Sequence, residues 1–182
     1  MLVTFAFNVT YYYYSALLLD QHPTSHNITC HTDSKIHVFY NLYTSSAEDE
    51  ERVRNIVQEQ LQHLNPSLHD ATNVTITSIG HPLPSIPYNH TISIHHNQGS
   101  EFLTLHSLWE YCKRHKHSAT KVIYLHSKGS YHPHKQNDLL RDFLTKGALS
   151  EECANLPESC NVCSSRMSPL PHPHTAGNMW LA

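Results

Sequence analysis

The chain predicts an α/β domain in three layers, a mostly parallel sheet with helices flanking it. Three observations carry that expectation. Segments rich in β-branched and aromatic residues alternate with amphipathic stretches in the order strand, helix, strand, helix, strand. The run KVIYLH at 121–126 is short and almost continuously apolar, as in a strand covered on both faces. A length of 182 residues suits one domain with a proper core better than two.

Taken in order, residues 2–19, LVTFAFNVTYYYYSALLL, are uncharged and approach the length of a membrane span. They read as a signal anchor or signal sequence and are the one candidate membrane contact, although Asn8, Thr4, Thr10 and Ser15 lower the hydropathy and no Lys or Arg flanks the segment. Residues 20–34 lose all apolar period and read as a linker, so the α/β domain spans 35–182. KIHVFYNLY at 35–43 has strand composition. Ser45 or Ser46 is then placed as an N-cap, with Glu48 and Asp49 in an acidic first turn. Val53, Ile56, Val57, Leu61 and Leu64 form one stripe at helical spacing, and Asn65-Pro66 ends it.

NVTITSIG at 73–80 alternates as a strand does, the Pro-rich HPLPSIPYN after it must be loop, and HTISIHH at 90–96 offers a further strand. A Ser100 cap opens a second helix with Leu105, Leu108, Trp109 and Cys112 on its expected buried face. Lys113, Arg114 and Lys116 crowd the end where the helix dipole favours cations. After the strand at 121–126, NDLLRDFLTKGAL at 137–149 predicts a third helix. Residues 150–175 are Cys-, Pro- and Ser-rich loop, and GNMWLA closes the sequence.

Composition narrows the function. A net charge of −3 and a pI near 6.6 leave no electrostatic footprint for nucleic acid. The 18 histidines turn the chain cationic only below about pH 6.5. Five cysteines leave at least one outside any internal disulfide. Four Asn-x-Ser/Thr sequons, beginning at Asn8, Asn27, Asn73 and Asn89, suit a luminal place in the secretory pathway or Golgi membrane; a cytoplasmic location is the alternative. Hydrolase signatures are missing, because no Gly-x-Ser-x-Gly elbow occurs and no carboxylate pair can be singled out.

In open α/β sheets ligands bind beyond the carboxyl ends of strands. Two such ends stand out: Asn41, Tyr43 and Thr44 after the first strand, and His126, Ser127, Lys128 and Gly129 after the strand at 121–126. Lys128 beside Gly129 can set an ammonium and backbone N–H groups against a phosphate or a sugar hydroxyl, and a solvated loop with a flexible glycine fits the same residues. The spacing does not match a P-loop. Cys160 and Cys163 form a Cys-x-x-Cys that, with Cys153, His172 and His174, could be a zinc knuckle; disulfides or free thiols explain the same residues.

VIYLHSKGSYHP followed by PHPHTAGNMWLA resembles a group of glycosyltransferase-like proteins of the GT-A type, a Rossmann-like architecture, that pair a Tyr-x-His-Ser/Thr-Lys-Gly strand end with a Gly-Asn-x-Trp-x-Ala segment. More distantly it is similar to rhamnan synthesis protein F. The resemblance covers 35–182 and implies transfer of a sugar, by a hexosyl- or deoxyhexosyltransferase, from a nucleotide-sugar donor to a glycan or glycoprotein acceptor. It implies catalytic roles for His126 and Lys128, donor contacts at Asn41, Tyr43, Ser127 and Gly129, and substrate contacts at His174, Gly177, Asn178 and Trp180. No Asp-x-Asp suited to Mn2+ or Mg2+ occurs where the family has one; Asp138 and Asp142 are the nearest acids and read as helical. The resemblance also predicts more sheet and acceptor-side loops beyond Ala182, so the domain is expected to be a shortened one. The alternative expectation is a noncatalytic carbohydrate-binding or interaction domain stapled by a disulfide or zinc.

Overall fold

The computed structural model describes residues 36–70, 73–86, 88, 92–116, 120–157, 160–168, 174–175 and 177–182. The expected anchor at 2–19, the linker at 20–34 and His172 lie outside the described residues. Among the described residues no helix is long and apolar enough to cross a membrane.

Strand β1 (His37–Thr44) is followed by a 3-10 turn (Ala47–Asp49) and helix α1 (Glu50–Leu61). Then come β2 (Thr75–Gly80), β3 (Ile92–His96), α2 (Phe102–Arg114), β4 (Val122–His126), α3 (Lys135–Ala148) and the single turn α4 (Glu151–Ala154). Three two-residue strands end the chain: β5 (Met167–Ser168), β6 (His174–Thr175) and β7 (Trp180–Leu181). The main sheet runs β3-β2-β1-β4-β7, with β1 parallel to both β2 and β4, β2 parallel to β3, and β7 antiparallel to β4. A mostly parallel sheet with flanking helices is thus the architecture. The antiparallel β7 and the separate β5-β6 pair were not expected, because two-residue strands carry no readable period.

Alternation along β1 and β4 sends successive side chains to opposite faces. Val38, Tyr40, Leu42, Ile123 and Leu125 join Val53, Val57 and Leu61 of α1 and Leu144 and Ala148 of α3 in the larger core. Each Val, Leu or Ile among them contributes roughly 1.5–3 kcal/mol of burial. One buried polar chain crosses this core: Tyr40 Oη donates to Gln60 Oε1 at 2.6 Å, and Gln60 Nε2 donates to Thr145 Oγ1 at 2.8 Å. Phe39, Val122 and Tyr124 point the other way and meet Leu108 of α2 in a smaller cluster.

Three local expectations need correction, the first being the Ser100 cap, since Glu101 stands at the start of α2 and its side chain makes no capping hydrogen bond. Neither Ser45 nor Ser46 caps α1, since both hydroxyls turn to the Asp49 carboxylate and a 3-10 turn intervenes before the helix. Trp109 does not belong to the buried face of α2; it is 55% exposed, with the Lys113 ammonium 4.9 Å above its ring. The deeply buried positions of α2 are Thr104 and Leu108, because a single helix covers this face of the sheet and only its inner stripe is shielded.

Candidate functional site at the carboxyl ends of β1 and β4

The carboxyl ends of β1 and β4 are stitched together before either can present a side chain. Ser127 N–H donates to Asn41 O at 2.9 Å, and Ser127 Oγ accepts the Tyr43 N–H at 2.9 Å and lies 3.2 Å from Ser130 Oγ. Ser127 is therefore buried, as is Asn41, whose Oδ1 accepts the Thr104 hydroxyl at 2.8 Å. The Tyr43 ring stands edge-on to Tyr131 at a centroid distance of 5.7 Å.

The turn after β4 is held from outside by two guanidinium groups. Arg141 Nη1 donates to Lys128 O and Arg52 Nη1 donates to Gly129 O, each at 2.8 Å. Gly129 has φ +86°, and a Cβ there would lie 3.1 Å from Asn137 Cβ and 3.2 Å from Arg141 Nη1, so any other residue is both strained and crowded. Its N–H has no hydrogen-bond partner among the described residues, and the Lys128 ammonium makes no ion pair among them. Arg141 is 3% exposed. Burial pulls its guanidinium down, yet the hydrogen bonds and charges of Glu59 and Asp138 hold it above its ordinary value.

The terminal segment arrives on the same side. His126 Nε2–H donates to Gly177 O at 2.8 Å, joining the two sequence motifs directly. Gly177 takes φ +86° and Asn178 φ +55°, two successive left-handed residues, and Asn is among the few side chains that accept that conformation readily. Asn178 Nδ2 donates to Glu101 Oε2 at 3.0 Å, Tyr124 Oη donates to the same oxygen at 3.2 Å, and Trp180 Nε1 approaches Asn178 Oδ1 at 3.4 Å. The Tyr124 ring lies 5.7 Å from Trp180 and 6.2 Å from His126 by centroids. Burial lowers the His126 pKa; the Gly177 carbonyl and the Glu101 carboxylate oppose that shift and Lys128 adds to it. The imidazole is thus a neutral donor through Nε2 near neutral pH. Tyr124 is raised, by burial first and then by Glu101.

His126, Lys128, Gly129, Gly177, Asn178 and Trp180 are consequently gathered on two linked segments, the end of β4 with its turn and the approach to β7. His174 contributes backbone to β6, paired with Ser168, and its side chain lies outside the described residues. Cys163 is removed from the metal candidates, because it forms a disulfide with Cys153; Cys160 is a free, exposed thiol. Among the described residues no three His, Cys, Asp or Glu side chains gather as a metal site. Asp138 and Asp142, the acids nearest in sequence to the His126–Gly129 turn, do not fit a divalent cation either: Asp138 faces Arg141 at 2.9 Å and Asp142 faces Lys146 at 2.8 Å.

Glu101, Thr104, Arg52 and Arg141 are site residues that sequence reading missed. Tyr124 was legible, being two residues before His126 and so on its face of the strand. Two further cavities are not lined by His126, Lys128, Asn178 or Trp180. One of 620 Å³ opens between α1 and the start of α3 beside Arg52 and Arg141; the other, of 440 Å³, runs along α2 near the amino ends of the strands, past His37, Tyr111 and His115.

A family model described as Domain of unknown function (DUF8361) matches residues 39–182. The chain belongs to this family. The DUF8361 match takes in both strand ends and the terminal Gly-Asn-Met-Trp, so the linked segments lie within the family domain. No curated protein and no solved structure matches the chain.

Proposed function

We propose that this DUF8361 domain is a glycosyltransferase-like domain that binds a nucleotide-sugar donor across the carboxyl ends of β1 and β4 and passes the sugar to a glycan or glycoprotein. The observation that carries the reading is the 2.8 Å hydrogen bond from His126 to Gly177, because it closes the two motifs of the resemblance into one neighbourhood. In this reading Lys128 and the Gly129 N–H, unpartnered among the described residues, stabilise the departing diphosphate. Fixed donors aimed at developing charge act without reorganisation, and the Arg52 and Arg141 clamps on this turn supply that fixity. His126 is held neutral and acts by orientation. The aromatic face of Trp180 and the amide of Asn178 meet the sugar. A nucleotide sugar supplies the activated anomeric carbon; Asp138 and Asp142 are already paired with Arg141 and Lys146 and have no metal role in this reading.

A thermal-shift panel of the full chain with uridine and guanosine diphosphates, with and without Mn2+, tests this. A ligand that binds only the folded chain at one hundred times its Kd adds about 2.7 kcal/mol of stability. At least one nucleotide is expected to raise Tm, with or without Mn2+; no rise with any of them contradicts the reading.

One observation favours a second reading. The Cys153–Cys163 disulfide ties α4 to a residue that exchanges two backbone hydrogen bonds with Leu181, so the terminal segment is stapled in place. A stapled, noncatalytic carbohydrate-binding domain is supported by that feature, and it predicts glycan binding with no nucleotide response.

A further inference from the structure

Glu101 is the acidic group at this site that the sequence pattern did not single out. It precedes the first turn of α2 and is partly exposed, and one of its two oxygens is committed. Oε2 accepts both Tyr124 Oη at 3.2 Å and Asn178 Nδ2 at 3.0 Å. Oε1 has no partner among the described residues. A carboxylate oriented by two donors on one oxygen presents the other as a fixed acceptor. Trp180, partly exposed, shares both of these neighbours, with its ring 5.7 Å from Tyr124 and its indole N–H on Asn178 Oδ1. The Lys128 ammonium, without an ion pair among the described residues, follows the end of β4, two residues beyond His126.

We propose that Glu101 selects the ligand of this half of the site: its free Oε1 takes hydrogen bonds from a neutral or ammonium-bearing, hydroxyl-rich ring seated against Trp180, and its charge turns phosphate away toward Lys128. The chemistry is direct. Hydroxyl-rich rings offer O–H donors to an acceptor-only carboxylate and C–H surface to an aromatic face. A phosphate offers neither and meets like charge. The inference rests on the sugar-binding reading of the site and adds to it which class of ligand contacts which residue.

Trp180 and Trp109 are the only two tryptophans, so their indole N–H signals separate this site from the far part of α2. The 15N-labelled full chain is titrated with the methyl glycosides of glucose, galactose, mannose and glucosamine, and with glucose 1-phosphate. At least one methyl glycoside is expected to move the Trp180 indole and leave the Trp109 indole in place, with glucose 1-phosphate weaker at that signal by about tenfold. The E101Q variant keeps an oxygen for Tyr124 and Asn178. It is expected to weaken the glycoside by about tenfold and to erase the discrimination against the phosphorylated sugar. E101D, which keeps the charge, is expected to retain that discrimination, and it decides the matter if E101Q does not fold.

The proposal is overturned if no glycoside moves the Trp180 indole at tens of millimolar. It is also overturned if glucose 1-phosphate binds there more tightly than the glycosides, or if E101Q keeps the wild-type ranking. A glycoside response without any nucleotide response overturns the transfer reading and leaves this inference standing. A nucleotide response with a silent indole does the reverse.

Discussion

The same two strands build two unlike faces. Toward α1 and α3, β1 and β4 present Val38, Tyr40, Leu42, Ile123 and Leu125, all fully buried, and the polar groups there are the closed Tyr40-Gln60-Thr145 chain and, at the carboxyl end of β1, the buried Thr44 hydroxyl. Toward α2 they present His37, Phe39, Asn41, Val122, Tyr124 and His126, with Phe39, Val122 and Tyr124 packed on Leu108 and Asn41 and His126 polar at the carboxyl end. One face holds the fold and the other spends its last turns on hydrogen bonds between loops. Because side chains alternate, a strand can carry both tasks residue by residue without conflict.

The sharpest break is expected on the closed face. Leu125→Ala removes a fully buried side chain from the larger core and is expected to cost about 2–5 kcal/mol in urea unfolding. A loss under about 1 kcal/mol would show that the two faces are not divided in this way. Next comes the staple. Cys163→Ser opens a disulfide of sequence separation 10 and is expected to cost about 2–3 kcal/mol. It should also speed amide hydrogen exchange at Leu181, whose N–H donates to Cys163 O, and unchanged exchange there would separate the staple from the site.

Acid should act on the polar face and its flanks. Burial lowers the pKa values of His37, His69 and His126, so the unfolded chain binds protons first as pH falls through the ordinary histidine value near 6.5. Their contribution is fully present above that pH and declines progressively below it. Urea midpoints measured from pH 8 to pH 5 should fall accordingly, and a flat profile would contradict the buried, neutral state of these rings. The smallest effect on folding is expected at Lys128, which has no ion pair among the described residues: Lys128→Ala should change stability by less than about 0.5 kcal/mol while abolishing the Tm rise given by a nucleoside diphosphate.

How much of this was legible follows from the same alternation. The apolar run 122–125 and the stripe Val53, Ile56, Val57 and Leu61 carry strong periods, and both elements stand where those periods place them. His126, Gly177 and Asn178 were legible as a pair of motifs, though nothing in the spacing of residues 51 apart says that an imidazole meets a carbonyl. Glu101 was illegible for a physical reason. It sits at a helix start, where an acid is explained by the dipole alone, and its partners Tyr124 and Asn178 are 23 and 77 residues away. Arg141 was hidden in the same way: on a helix it reads as surface charge, and only the fold brings Lys128 O and Glu59 to its guanidinium.

The most direct test of a donor site at the carboxyl ends of β1 and β4 is a map of backbone amide shifts on adding uridine or guanosine diphosphate to the labelled chain. The account predicts a footprint on Tyr43, Ser127, Lys128 and Gly129. Shifts centred instead on the 440 Å³ groove of His37, Tyr111 and His115, at the opposite end of the strands, would contradict it.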